Sequence, residues 1–198
     1  MKKIGVIVFT VLVALIFSNC KKSENDPLFS TKSRHTRACG LWTISSGSIT
    51  STYVDRNGVS SSVTYSLNNK NFTAEITGRG TLVGKFSLQL DMRDDDSFEV
   101  KQEFGGPLET YAGKWQFLHK SKDYKNKERM LFTLNANAAS SVSLLSFSKG
   151  GFSFNYTINE LSNDNKLVLV CEKELVLAEA VNGKSERYYI SAQYVLQK

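Results

Sequence analysis

Residues 85–92 read KFSLQLDM, and residues 152–159 read FSFNYTIN. In both stretches apolar residues alternate with polar ones, so an extended chain has one apolar face and one polar face. Shorter stretches with the same period of two lie at residues 63–67, 72–76 and 130–134. This alternation is typical of antiparallel strands that bury one face and expose the other to water. No stretch beyond residue 20 has a convincing helical period.

Short runs of glycine, asparagine and aspartate separate the alternating stretches. These residue types tolerate the positive φ that tight hairpin turns require. The runs lie at residues 57–58, 68–69, 78–80, 94–96, 163–165 and 182–183. Each strand is therefore expected to pair with its sequence neighbour, and a row of about eight to ten strands must roll up to bury its apolar face. The sequence predicts an all-β antiparallel meander β-barrel, with a two-sheet sandwich as the alternative.

The first 19 residues have the layout of an export signal. Lys2 and Lys3 provide a positive start, and residues 4–17 form an apolar run that is too short to span a bilayer comfortably. Residues 17–20 read FSNC and are similar to a bacterial lipobox, although Phe and Asn depart from its usual residues. An ordinary cleaved signal is the alternative.

This reading divides the chain into three parts. Residues 1–19 are predicted to be a lipoprotein signal peptide, and Cys20 is predicted to carry the lipid. Residues 20–38 are polar, charged and without periodicity, which predicts a flexible lipid-anchored tether. Residues 39–198 are predicted to form the barrel domain. The expected location is the cell envelope, at the outer membrane, facing the periplasm or the cell surface.

The charge and the rare residues exclude several function classes. The formal net charge of +6 includes Lys2 and Lys3 of the signal, and it is not concentrated as in nucleic-acid-binding domains. The two histidines, His35 and His119, have no partner nearby in sequence, which disfavours a catalytic triad or a histidine-based metal site. We therefore expect no enzyme activity, no catalytic residue, no metal and no cofactor. The acidic residues 94–96 suit calcium but suit a hairpin turn better.

Two features leave alternatives open. The lysine-rich connection over residues 120–129 is expected to be either a solvated hairpin tip or a contact for anionic lipid headgroups or glycans. Cys39 and Cys171 are allowed to form a disulfide in an exported protein. Cys171 keeps the apolar phase of its strand whereas Cys39 falls on the phase opposite to Trp42, so buried free thiols are the other reading.

The aromatic residues on the apolar phase are expected to face the barrel interior. A small barrel either fills itself with side chains or holds one ligand. Lys173 shares the phase of the apolar residues on its strand, and a charge there must reach solvent, a partner or a ligand. The predicted ligand-binding residues are Lys173, Tyr156, Tyr188 and Tyr194, and the predicted ligand is small and apolar. The alternative is a filled barrel that acts as a structural or protein-interaction module.

Several motifs together resemble those of lipocalin-like lipoproteins of the Bacteroidota. They are the G-x-W at residues 40–42, with a change of phase near Gly47, a second G-x-W within residues 113–117, the segment YTINEL at 156–161 and the strand at 167–169. The resemblance covers most of residues 40–198 and implies an eight-stranded meander barrel with a possible site in its lumen. In lipocalins an arginine of the last strand packs on the first tryptophan, and this chain has no evident counterpart unless Arg187 serves. The resemblance implies a fold rather than a reaction.

Overall fold

The structure, a computed structural model, describes residues 31–119, 121, 128–135, 153–162, 165–181 and 184–198. Within these ranges it contains one short helix and ten strands: α1 (Arg34–Ala38), β1 (Gly40–Val54), β2 (Ser60–Asn68), β3 (Asn71–Ile76), β4 (Gly80–Met92), β5 (Ser97–Phe104), β6 (Glu109–Phe117), β7 (Arg129–Leu134), β8 (Ser153–Leu161), β9 (Lys166–Val181) and β10 (Lys184–Gln197). The predicted signal peptide, Cys20 and the lysines of residues 120–127 lie outside the described residues.

The ten strands form a closed antiparallel barrel in which each strand pairs with its sequence neighbour and β1 pairs with β10. The predicted all-β meander barrel is therefore confirmed. Alternation explains the closure, because each strand directs one row of apolar side chains inward and pairs with a neighbour on each side.

The barrel has two ends, called the closed end and the open end, and the turns between strands lie at one or the other. At the closed end lie α1, the start of β1 and the β4–β5 turn (residues 93–96). At the open end lie the β1–β2 turn (residues 55–59) and the β5–β6 turn (residues 105–108). These two names are kept below.

The two ends differ in strand number because β1 has two partners on the same side. Its first residues, Gly40–Thr43, pair with β4, whereas residues 46–54 pair with β2. The β2–β3 hairpin is thus inserted between β1 and β4 only away from the closed end. The closed end has eight strands around it and the open end has ten. Barrel diameter grows roughly in proportion to strand number, so the open end is about a quarter wider.

Helix α1 changes the boundary that the sequence predicted for the tether. Residues 34–38 were expected to belong to a flexible tether, but they form a helix with Arg34, Arg37 and Ala38 buried. Ser33 caps its first turn by accepting a hydrogen bond from the Thr36 N–H at 3.0 Å. An Arg37 guanidinium N–H donates to the Leu161 carbonyl, which fixes the helix to β8. The folded domain therefore begins before residue 39.

The core fills the closed half of the barrel. Trp42 on β1 and Trp115 on β6 are buried there, and the Trp42 indole N–H donates to the Ala38 carbonyl at 2.6 Å. The phase change predicted near Gly47 occurs as a register shift between Ile44 and Ser46, where β1 bends along β10. Among the described residues, no helix has the length and apolar composition needed to cross a membrane.

Candidate functional site

Exposure of the inward-facing side chains changes steadily along the barrel axis. On β10 the exposed fraction is 0% at Leu196 and Tyr194, 2% at Ala192 and 6% at Ile190, and Tyr188 beyond them is half-buried. On β1 the inward residues Trp42, Ile44 and Ile49 are buried, and the inward residues after them, Ser51 and Tyr53, are half-buried. The interior is therefore filled at the closed end and accessible at the open end. The accessible part, around the inward residues of the open end, is called the mouth below.

One wall of the mouth carries two of the four residues that the sequence predicted. Tyr188 lies opposite Tyr53 in the β1–β10 register, with the two ring centroids 5.2 Å apart. Lys173 lies opposite the buried Ile190 and is half-buried, so it keeps the inward phase that the sequence predicted. In the part of the chain that the structure describes, no hydrogen bond or ion pair involves the Lys173 ammonium.

The other two predicted residues lie deeper. Tyr156 and Tyr194 are completely buried, with ring centroids 6.0 Å apart, and Tyr194 lies opposite Leu169. Burial raises the pKa of both phenols well above the ordinary value, so both stay neutral. The structure therefore separates the predicted set: Lys173 and Tyr188 lie at the mouth, while Tyr156 and Tyr194 belong to the filled layer beneath it.

A polar cluster on β5 and β6 was missed in the sequence. Gln102 and Tyr111 face inward and are buried. The Tyr111 hydroxyl donates to a Glu109 carboxylate oxygen at 2.5 Å, and the Gln102 amide donates to the same oxygen at 3.1 Å. The sequence does carry a signal for this cluster, because the polar residues Gln102 and Glu109 occupy the apolar phase of their strands. Three strands away from Lys173 around the barrel, the mouth thus also carries a hydrogen-bonded carboxylate.

Apolar side chains complete the mouth. Leu82 lies on the inward phase of β4, opposite the buried Ala74, yet is 56% exposed. Phe104 at the end of β5 is half-buried and packs on Phe72, with ring centroids 4.4 Å apart. A mostly apolar wall with a few placed polar groups is the usual composition of a small-molecule site.

A separate depression lies on the outer face of the barrel. It has a volume of about 370 Å³ and is lined mainly by outward residues of β1, β9 and β10, among them Thr50, Glu172 and Tyr189, together with Lys173. Of the four predicted residues, Lys173 lines this depression and the three tyrosines do not.

Closure of the barrel brings together three side chains that the sequence left apart. The nitrogen, sulfur and carboxylate ligand atoms of His35, Cys39 and Asp94 all lie within 4.8 Å of one another. The sequence predicts that His35 lies in the tether without a partner, but its Nε2 lies 3.0 Å from an Asp96 carboxylate oxygen and its ring stacks on Trp115. The one local signal was the spacing of His35 and Cys39, four residues apart, which places them on one face of a helical turn.

Cys39 and Cys171 are free thiols, so the structure has the unbridged alternative of the two predicted for this pair. Cys171 is buried and Cys39 is half-buried. Burial, with a further contribution from Asp94, raises the pKa of Cys39 to about 12. A thiol of this kind is protonated at neutral pH and is a poor nucleophile.

The structure also locates the acidic residues 94–96 and the side chain that packs on the first tryptophan. Residues 94–96 form the β4–β5 turn, in which Asp96 has a φ of 62°. Arg187 does not lie on the first tryptophan, because it pairs with Glu174 near the open end. Lys198, directly after β10, takes that place, with its ammonium 4.5 Å from the centre of the Trp42 ring. Lys198, rather than Arg187, therefore makes the contact with the first tryptophan.

Comparison with protein-family models, with curated proteins and with solved structures found no match for this chain.

Proposed function

We propose that this chain is an exported, lipid-anchored protein of the cell envelope whose lipocalin-like barrel binds a small amphipathic acid at its mouth and catalyses no reaction. The observation that carries the proposal is the change of exposure along β10 and β9, from a filled layer at Tyr194 to half-buried Tyr188 and Lys173. The filled layer supports a shallow ligand position rather than a deep one.

The chemistry of the ligand follows from the two polar groups of the mouth. Lys173 supplies a cation, which favours a carboxylate or another acidic group. Leu82, Phe104 and the Tyr53–Tyr188 pair offer apolar surface to the rest of the molecule. The carboxylate of Glu109 favours a hydrogen-bond donor on the ligand at the far wall.

A displacement titration with a fluorescent fatty acid tests the ligand class. Lys173→Met should weaken binding roughly 10- to 150-fold, because a charged hydrogen bond contributes roughly 1.5–3 kcal/mol. The matched control is Lys166→Met on the same strand at the closed end, where the ammonium pairs with Glu160 at 2.8 Å. Lys166→Met should leave binding unchanged. No saturable binding to the wild type would exclude this ligand class.

A second pair of variants tests the place of binding. Ser51 and Thr50 are adjacent on β1 and face opposite sides: Ser51 faces the mouth and Thr50 lines the outer depression. Ser51→Trp should block the mouth and abolish probe binding, whereas Thr50→Trp should not. The reverse result would place the probe on the outer face and would contradict the proposal.

The lipid anchor has its own test. Cys20→Ser should release the protein from the membrane fraction or leave its signal uncleaved, as seen by fractionation and by electrophoretic mobility. A Cys20→Ser protein that fractionates and migrates like the wild type would contradict lipidation.

One observation favours the alternative, an interaction module with no ligand. Large apolar side chains are exposed around the open end, at Val59, Leu82, Val83 and Leu108. If the wild type does not bind the probe and Ser51→Trp does not change that result, these exposed apolar residues become the favoured functional surface.

A further inference from the structure

The cluster at the closed end combines three types of metal ligand from two parts of the chain. His35 and Cys39 come from α1 and its C-terminal cap, and Asp94 comes from the β4–β5 turn. Their ligand atoms lie within 4.8 Å of one another. Imidazole nitrogen, thiolate sulfur and carboxylate oxygen are all ligands that zinc accepts.

The distance between the first two ligands suits a tetrahedral ion. The Cys39 sulfur lies 3.6 Å from Nδ1 of His35. With Zn–S near 2.3 Å and Zn–N near 2.0–2.1 Å, tetrahedral ligands of these types are about 3.6 Å apart. Asp94 is exposed and its carboxylate lies within 4.8 Å of the other two ligand atoms, so a rotation of its side chain brings the carboxylate to the ion.

The surroundings of His35 are those of a metal-ligating histidine. Its Nε2 faces the Asp96 carboxylate at 3.0 Å, which leaves Nδ1 as the nitrogen directed at Cys39. A carboxylate on the second ring nitrogen fixes the tautomer and the ring orientation of histidines that bind metal. Trp115 stacks on the ring at a centroid distance of 5.0 Å and restrains it further.

The nearby cations have other partners. Arg93 pairs with Asp91 at 3.0 Å, Lys114 lies 3.8 Å from Asp95, and Lys198 donates to the carbonyls of Arg37 and Cys39. Within the described ranges no lysine or arginine forms an ion pair with Asp94. Asp94 therefore adds negative charge beside the thiol, and the ammonium of Lys198 offsets this charge only in part.

From this geometry we infer that His35, Cys39 and Asp94 bind one Zn²⁺ ion, with Asp96 orienting His35 and a water completing the tetrahedron. On binding, the Cys39 thiol gives its proton to solvent and a sulfur–zinc bond forms. The ion ties α1 to the β4–β5 turn and so clasps the closed end. The site is independent of the ligand proposed for the mouth.

Calorimetry and cobalt spectroscopy on the reduced, metal-free full-length chain test the inference. Titration with ZnCl₂ should show one ion bound per chain. Co²⁺ should give a thiolate-to-cobalt charge-transfer band that disappears in Cys39→Ser and persists in Cys171→Ser. No saturable zinc binding, or a band that survives Cys39→Ser, would overturn the inference.

The acidic turn offers matched variants. Asp94→Asn should lower zinc affinity by at least the 10- to 100-fold that loss of an outer-shell partner typically causes. Asp96→Asn keeps the left-handed turn and an acceptor for His35, so it should cost no more than about tenfold. Asp95→Asn should bind zinc like the wild type, because the Asp95 carboxylate accepts from Ser97 instead. Equal affinity in Asp94→Asn and Asp95→Asn would contradict the site.

A measurement on the wild type covers the case in which a variant fails to fold. Zinc should slow alkylation of Cys39 by iodoacetamide, read by mass spectrometry, and should leave the buried Cys171 unaffected. An unchanged rate at Cys39 would contradict zinc ligation.

Discussion

The two ends of the barrel are built from the same alternating strands but differ in what fills them. At the closed end, α1 covers the interior, and Trp42 donates to the Ala38 carbonyl beneath it. At the open end, inward positions of the same strands carry Ser51, Tyr53 and Lys173, none of them fully buried. Strand alternation therefore sets which way a side chain points, while the closing helix and the strand number decide whether it is buried.

The largest expected difference between the ends is in stability. Trp42→Ala should lower the free energy of unfolding by about 3–5 kcal/mol, because it leaves a cavity in the filled half. Tyr53→Ala at the mouth removes a half-buried ring and should cost about 1 kcal/mol. Urea unfolding of both variants measures the difference. Similar losses at the two positions would show that the ends are equally packed.

Glycines give the next contrast. A Cβ at Gly113 would meet the Thr133 carbonyl and would lie 2.8 Å from a ring carbon of Phe98. Gly113→Ala should therefore cost about 1–3 kcal/mol through overpacking. Gly106, on the β5–β6 turn of the open end, has nothing within 4 Å of its Cβ position. Gly106→Ala should leave the melting temperature nearly unchanged, and a large loss there would contradict the open surroundings of that turn.

Lys198 tests how the closed end is fastened. Its ammonium lies over Trp42 and donates to the Arg37 and Cys39 carbonyls at 2.8 and 2.6 Å. Lys198→Met should cost about 1–2 kcal/mol through loss of these contacts. Lys101→Met, which removes an exposed ion pair with Glu99, should cost about 0–1 kcal/mol. Chemical denaturation in parallel compares the two.

The smallest expected effect is a pH dependence at the β4–β5 turn. Hydrogen bonds from Ser97 hold the pKa of Asp95 below its ordinary value of 3.8. A carboxyl whose pKa is lower in the folded state stabilises the fold above the unfolded pKa, and this contribution is lost as the pH falls through the folded pKa. The melting temperatures of wild type and Asp95→Asn should therefore converge as the pH falls below about 4. A gap that is constant with pH would contradict the lowered pKa.

The fold was predictable because alternation and turn residues are local signals. Residues 86–92 and 153–158 carry their pattern within one strand, and the turn at Asn57–Gly58 separates two strands as predicted. The ten-stranded open end was not predictable in this way, because residues 60–76 have the same period whether they pair along the whole of β1 or only along part of it. Pairing of β1 with β4 depends on register across the barrel, which no short stretch encodes.

The candidate site was predictable only in part for a related reason. Lys173 and Tyr188 were found because phase along a strand is readable from residue spacing. The depth of Tyr156 and Tyr194 was not, because phase does not give the position along the barrel axis. His35 and Asp96 are 61 residues apart in the chain, and only the packing of α1 against the closed end brings them into contact.

The partial insertion of the β2–β3 hairpin allows the two ends to change independently. Residues 60–76 lie between β1 and β4 at the open end alone. At the closed end, Gly40–Thr43 of β1 pair directly with β4. A longer, shorter or absent β2–β3 hairpin would change the circumference of the open end, while the closed end kept its eight strands. Selection, or an engineer, thus has one short segment by which to resize the opening without changing the strand pairing of the closed end.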